Sequence, residues 1–168
     1  MEQVILVDEK DTNIGVMEKL EAHRKGVLHR AFSILLFDNK GNILLQQRAH
    51  EKYHSAGLWT NTCCSHPRPD ENLSDATSRR LQEEMGIHTS LDFRYKFIYK
   101  AELGNLIEHE YDHVFTGSFE GTPNINPVEV ADWKFMRPAE ILEDISQHPS
   151  RYSAWFQMIM RQLPQSII

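Results

Sequence analysis

The segment Glu71-Asn72-Leu73-Ser74-Asp75-Ala76-Thr77-Ser78-Arg79-Arg80-Leu81-Gln82-Glu83-Glu84-Met85-Gly86-Ile87 decides the fold. Its Leu73–Met85 core reads as a helix. Asn72 or Ser74 offers a side-chain cap, and Gly86 stands where a left-handed residue closes a helix. The helix is unusually charged on a small surface. Arg80 and Glu84 are four residues apart on one face, as are Ala76 and Arg80. Surface ion pairs on a solvated amphipathic helix account for that spacing by themselves, so its meaning depends on what surrounds it.

Strand signals lie on both sides. Gln3–Val7 reads as a short strand. The apolar run Ala31-Phe32-Ser33-Ile34-Leu35-Leu36-Phe37 meets the turn signal Asp38-Asn39-Lys40-Gly41-Asn42, and an apolar segment resumes at 43–47, which predicts a hairpin over 31–47. Segments 91–103 and 108–119 read as two strands joined around Gly104-Asn105, and 133–136 as another. Pro138 opens a short helix, and 150–163 reads as a final one. Strands and helices mix without a regular βαβ alternation. The expectation is therefore an α+β fold, with mixed β-sheets flanked by helices.

Length and composition set the frame. At 168 residues the chain is about one domain by the usual prior, so 1–168 is expected to fold as a single unit. Its 18 basic and 24 acidic residues give a net charge of −6. The absence of a basic block argues against nucleic acid or an anionic membrane surface as a partner. No apolar run approaches the roughly 18 residues of a spanning helix. Met1 is followed by Glu2 and Gln3 instead of a secretory signal, and a cytoplasmic location is expected.

The nine histidines and the adjacent pair Cys63-Cys64 stand out. Neighbouring Cα atoms lie about 3.8 Å apart, too close for an ordinary disulfide, so free thiols are expected. In Glu108-His109-Glu110, strand alternation puts both carboxylates on one face, where they repel unless a cation or a shared proton lies between them. His23 and His29 converge only if the chain folds back around Lys25-Gly26. Imidazoles with carboxylates suit a divalent transition ion.

The charged helix also resembles a Nudix box: Glu71, seven residues, Arg79, then Leu81, Glu83, Glu84, Gly86 and Ile87. Such a box points carboxylates at Mg²⁺ on a diphosphate. Ser65 stands at the position of its opening Gly. Arg80 replaces its first metal-facing Glu, exchanging a carboxylate for a phosphate-pairing guanidinium. Together with Trp59-Thr60-Asn61-Thr62-Cys63-Cys64-Ser65-His66-Pro67 and Glu108-His109-Glu110, the altered box resembles the type 1 isopentenyl-diphosphate Δ-isomerases over nearly the whole chain. A Nudix hydrolase of a nucleoside or other diphosphate is the alternative, and the loss of a carboxylate at Arg80 weighs against it.

The resemblance implies a Nudix-like fold and a set of site residues. Cys64, Glu110 and Tyr99 are the implied catalytic groups. His23, His29, His66, Glu108 and Glu110 are the implied ligands of one divalent ion, Mn²⁺ or Zn²⁺. Glu84 is the implied contact of Mg²⁺ carried with the substrate diphosphate. Lys19, Arg48, Lys52, Ser65 and Arg80 are implied around that diphosphate, and Trp155 over the isoprenoid tail. Cys63 is implied to be dispensable. A small diphosphate is the implied partner, with a monomer or weak homodimer as the unit. His50, His54, His88, His109, His113 and His148 carry no expected role.

The implied reaction moves a double bond. An unactivated alkene must be protonated at its terminal carbon, and another group must remove a proton from C2, so acid and base should flank the substrate. Glu110, beside the metal and Tyr99, is expected to handle the alkene proton with Cys64 opposite; the sequence does not assign which is acid and which is base, and the roles can exchange in reverse.

Overall fold

In the computed structural model, which describes residues 1–167, one strand organises the sheet. The chain opens with the antiparallel pair β1 (Gln3–Val7) and β2 (Asn13–Glu18), then a short helix α1 (Lys19–Lys25). The central strand β3 (His29–Phe37) follows, then β4 (Ile43–Arg48), two short strands β5 (Trp59–Thr60) and β6 (Cys63–Ser65), and helix α2 (Leu73–Met85). A long hairpin, β7 (Asp92–Leu103) and β8 (Leu106–Ser118), leads to β9 (Val130–Met136) and the helices α3 (Pro138–Gln147) and α4 (Ala154–Gln162). The mixed sheet and its flanking helices agree with the α+β expectation.

β3 runs parallel to β8 along its whole length, from His29↔Glu110 to Phe37↔Ser118. On its other side it pairs antiparallel with β6, setting Ser33 opposite Cys64 and Ile34 opposite Cys63. Its two faces bury different helices. Phe32, Ile34 and Leu36 pack with Cys63 against Ala76, Leu81 and Met85 of α2. On the opposite face Leu35, Leu45 and Val114 pack against Ile141 of α3 and Phe156 and Ile159 of α4. Apolar residues on both faces of β3 follow from this sandwiching.

Asn72 caps α2 by accepting the Asp75 backbone N–H at 2.8 Å. Gly86, at φ 65°, closes it; a β-carbon there would stand 2.7 Å from the Asn124 carbonyl oxygen.

Two expectations are corrected. The hairpin over 31–47 closes at its turn, where Asp38 accepts the backbone N–H groups of Lys40 and Asn42, but the two strands pair only at Phe37↔Ile43. Beyond it β3 follows β8 and β6, while β4 follows β9 and β5. The helix expected over 150–163 is interrupted. Pro149–Arg151 forms a single 3₁₀ turn, Tyr152 and Ser153 are extended, and α4 begins at Ala154. The interruption lets the Ser153 N–H bond the Trp59 carbonyl and its hydroxyl bond Thr60 at 2.8 Å. Helix α1, for which the sequence reading offered no element, is capped by Glu18, whose carboxylate accepts the Leu20 and Glu21 backbone N–H groups.

Candidate active site

The motif Trp59-Thr60-Asn61-Thr62-Cys63-Cys64 is largely a fastening. Thr62 Oγ1 accepts the Leu36 N–H at 2.9 Å and donates to the Leu44 carbonyl at 2.6 Å, tying β3 to β4. Asn61 Nδ2 donates to the Ile34 and Cys63 carbonyls at 3.2 and 2.8 Å. Its Oδ1 accepts the Trp155 indole N–H at 3.1 Å, fixing α4 to the same corner. These fully buried polar groups are satisfied by the neighbouring backbone and by other buried side chains, as low-dielectric burial requires.

That corner splits the cysteines. Successive side chains on a strand face opposite ways. Cys63 is buried in the apolar layer against α2, whereas Cys64 packs toward the α4 layer and lines a cleft. Both thiols are free. Burial pushes the Cys64 thiol well above its usual range, against a smaller pull from the Arg48 guanidinium, so the group is protonated at neutral pH.

The cleft floor is made by β8, β3 and α1. The fold-back at Gly26 (φ 65°) brings the His23 and His29 rings to 4.8 Å between centroids. The register His29↔Glu110↔Tyr99 then delivers an imidazole, a carboxylate and a phenol to one sheet face. Glu110 Oε1 meets His66 Nε2 at 2.8 Å and lies 3.5 Å from His29 Nε2. Glu108 Oε1 lies 3.7 Å from His23 Nε2 and 2.8 Å from His54 Nε2. The Tyr99 hydroxyl stands between the two carboxylates, 2.6 Å from Glu110 Oε2 and in contact with Glu108 Oε2. Tyr95, also on β7, has a buried hydroxyl without a hydrogen-bond partner among the described residues.

Buried carboxylate–imidazole contacts set the ionisation of the floor; against the lowering effect of burial, Glu108 raises His23 above its usual value. Burial pushes both glutamates toward the neutral form, but the surrounding imidazoles outweigh it and hold both below the usual carboxylate range. Burial holds His66 down at about 4, against the raising effect of Glu110, and so neutral at pH 7. Ionised carboxylates and neutral imidazoles are the forms that bind metal. His23 and His29 point Nδ1 at the backbone carbonyls of Lys19 and Val27, at 2.7 and 2.8 Å, which leaves Nε2 facing inward. Among the described residues, those Nε2 atoms and His66 Nδ1 are buried without a hydrogen-bond partner. Ligand atoms of His23, His29, His66 and Glu110 all lie within 4.8 Å of one another, so this buried group can hold a metal ion.

The mouth is basic. Lys19, Arg48, Lys52 and Arg80 all line the cleft, with Ser65 and Trp155. Arg80 bonds Glu83 and Glu84 at 2.7 and 2.5 Å and stands 3.5 Å from Glu129. Buried Glu84 also accepts Gln46 Nε2 at 2.9 Å. Lys52 pairs with Glu129, Lys19 with Glu2, and the Arg48 guanidinium lies 5.2 Å from the centre of the Trp155 ring. The fold thus gathers every sequence-derived site residue into one region; His23, His29 and Tyr99 form the layer behind the lining. Sequence reasoning missed Tyr53 and His54, which also line the cleft. Their only signal is the unusual Tyr53-His54 pair just before the Trp59 motif.

Residues 27–156 match the NUDIX domain family. The chain is 55% identical over 157 residues to isopentenyl-diphosphate Delta-isomerase 1 of Aromatoleum aromaticum, covering 93% of this chain and 89% of that one. It is 53% identical over 163 residues to isopentenyl-diphosphate Delta-isomerase 2 of Photorhabdus laumondii, covering 96% and 92%. Among solved structures, DR0079 of Deinococcus radiodurans matches with a TM-score of 0.82 over 96% of this chain and 98% of that one, a likeness of fold at 17% identity. With half its residues shared over nearly the full length of such relatives, on a NUDIX fold, the chain belongs to the isopentenyl-diphosphate Delta-isomerase family.

Proposed function

We propose that this protein isomerises isopentenyl diphosphate to dimethylallyl diphosphate, using Cys64 and Glu110 as its acid–base pair. The observation that carries the reading is one cleft with a half-buried thiol on β6 and, on β8, a buried carboxylate pair that shares the Tyr99 hydroxyl of β7. Between them, thiol and carboxylate supply one proton donor and one acceptor, which the transposition requires. One of the two donates a proton toward the terminal carbon while the other accepts one from C2. The roles exchange in the back reaction.

The mouth holds the other end of the substrate. Lys19, Arg48, Lys52 and Arg80 offer cationic donors for a diphosphate, Ser65 a hydroxyl, and Glu84 a carboxylate for the Mg²⁺ that accompanies it. Binding energy collected there orients the small tail between acid and base. The Trp155 indole lines the same cleft, and a cation over its face gains about 0.5–2 kcal/mol. On the floor, His23, His29, His66, Glu108 and Glu110 would hold the second divalent ion, Mn²⁺ or Zn²⁺, which supplies the positive charge two adjacent buried carboxylates need. The working unit in this reading is a monomer or weak homodimer. Free thiols favour the cytoplasm. No helix among the described residues is long and apolar enough to cross a membrane.

Incubation with isopentenyl diphosphate and Mg²⁺ should yield an acid-labile allylic diphosphate. Release of phosphate or pyrophosphate without allylic product would instead identify a Nudix hydrolase. His66→Ala should lower the tightly bound metal found by elemental analysis; unchanged content would remove His66 from the site.

A further inference from the structure

His54 lies in the irregular segment between β4 and β5, two residues after Lys52, yet its side chain is directed into the acidic floor. Two features place it there. The Arg48 guanidinium donates to the His54 carbonyl at 3.2 Å, and Ser55 at φ 50° turns the chain immediately afterwards. Its ring is buried and lies 5.7 Å from the His23 ring and 5.9 Å from the Trp155 ring, between centroids.

We propose that His54 is a further ligand of the buried divalent ion, bound through Nε2 on the Glu108 side of the site. The inference rests on the metal reading given above and extends it by one donor. Three observations support it. His54 repeats the arrangement of His23 and His29: its Nδ1 is paired locally, with Ser55 Oγ at 3.2 Å, and its Nε2 faces the carboxylates. Ligand atoms of His23, His54 and Glu108 lie within 4.8 Å of one another, so His23 joins this group to the group containing His29, His66 and Glu110. The 2.8 Å between His54 Nε2 and Glu108 Oε1 also equals the His66–Glu110 separation. Neighbouring donors on an octahedral ion at about 2.1 Å stand about 3 Å apart, so both pairs fit adjacent coordination positions.

A hydrogen bond that merely orients Glu108 would use the same two atoms, and the test separates the roles. Wild type, His54→Ala and His54→Gln are titrated with MnCl₂ after metal removal. Free Mn²⁺ is followed by electron paramagnetic resonance, and the water exposure of bound Mn²⁺ by proton relaxation. Thermal melts of the metal-free proteins check that each variant folds. A ligand predicts that both variants bind Mn²⁺ at least about tenfold more weakly and that bound Mn²⁺ gains an exchanging water, raising its relaxivity. Glutamine keeps an N–H for Glu108 but is a poor donor to Mn²⁺. Wild-type affinity in His54→Gln, or weaker binding without a rise in relaxivity, would overturn the ligand assignment. Failure of wild type itself to bind Mn²⁺ would overturn the metal reading and this proposal with it.

Discussion

Cys64→Ala is expected to reduce isomerase turnover by about 10³-fold, within the usual range for a lost acid–base group, while Cys63→Ala keeps most of it. The contrast follows from strand geometry. The two thiols are neighbours in sequence but lie on opposite faces of β6. Cys64 lines the same cleft as Glu108 and Glu110 of β8, with Ser33 as its cross-strand partner. Cys63 is completely buried beside Leu81 and Met85, and its truncation costs packing. Removing one buried heavy atom there should lower stability by about 1 kcal/mol, seen as a shifted denaturation midpoint at an unchanged slope. Turnover measured with saturating substrate and Mg²⁺ separates the effects. Equal losses in the two variants would show that the thiol has been misassigned.

What the sequence made legible, and what it hid, follows from the range of the interactions. Local signals located α2, with its Asn72 cap and Gly86 closure, and the hairpin turn at Gly104-Asn105. Pairing between distant segments had no local signature. Nothing near residue 31 announces that β3 will leave β4 to run parallel with β8, because the apolar run that suits one partner suits the other. The final helix was drawn too long because 150–163 carries helical periodicity throughout. What breaks it is the contact of Ser153 with Trp59 and Thr60, more than ninety residues earlier in the chain.

The site divides the same way. Cys64, His66, Glu108 and Glu110 could be named because their motifs are contiguous. The significance of the His23–His29 spacing depended on a fold-back at Gly26 that only the three-dimensional chain displays. Thr60, Asn61 and Thr62 carried strong motif weight, yet their side chains bond backbone and other buried groups and hold Cys64 in place. His54 was passed over because a histidine in a polar loop is ordinarily exposed. Its burial is set by the turn at Ser55 and the Arg48 bond to its carbonyl.

Glu110→Gln is expected to lose about 10³-fold in turnover that added metal does not restore, whereas the loss in Glu108→Gln should be largely recovered at high Mn²⁺. Both carboxylates direct Oε1 at imidazoles and Oε2 at the Tyr99 hydroxyl, so their metal-facing surroundings are nearly alike. A neutral amide at either position removes one of the charges that attract the cation, and both variants should bind metal more weakly. Their roles diverge in the proton transfer assigned to Glu110 with Cys64. Saturating the floor with metal repairs a defect in binding, but it cannot return a carboxylate that has to exchange a proton with the substrate. Titrating activity against MnCl₂ for wild type and both variants reads this directly. Full recovery of Glu110→Gln would reduce Glu110 to a ligand alone, and persistent inactivity of Glu108→Gln with metal bound would move the proton-transfer role to Glu108.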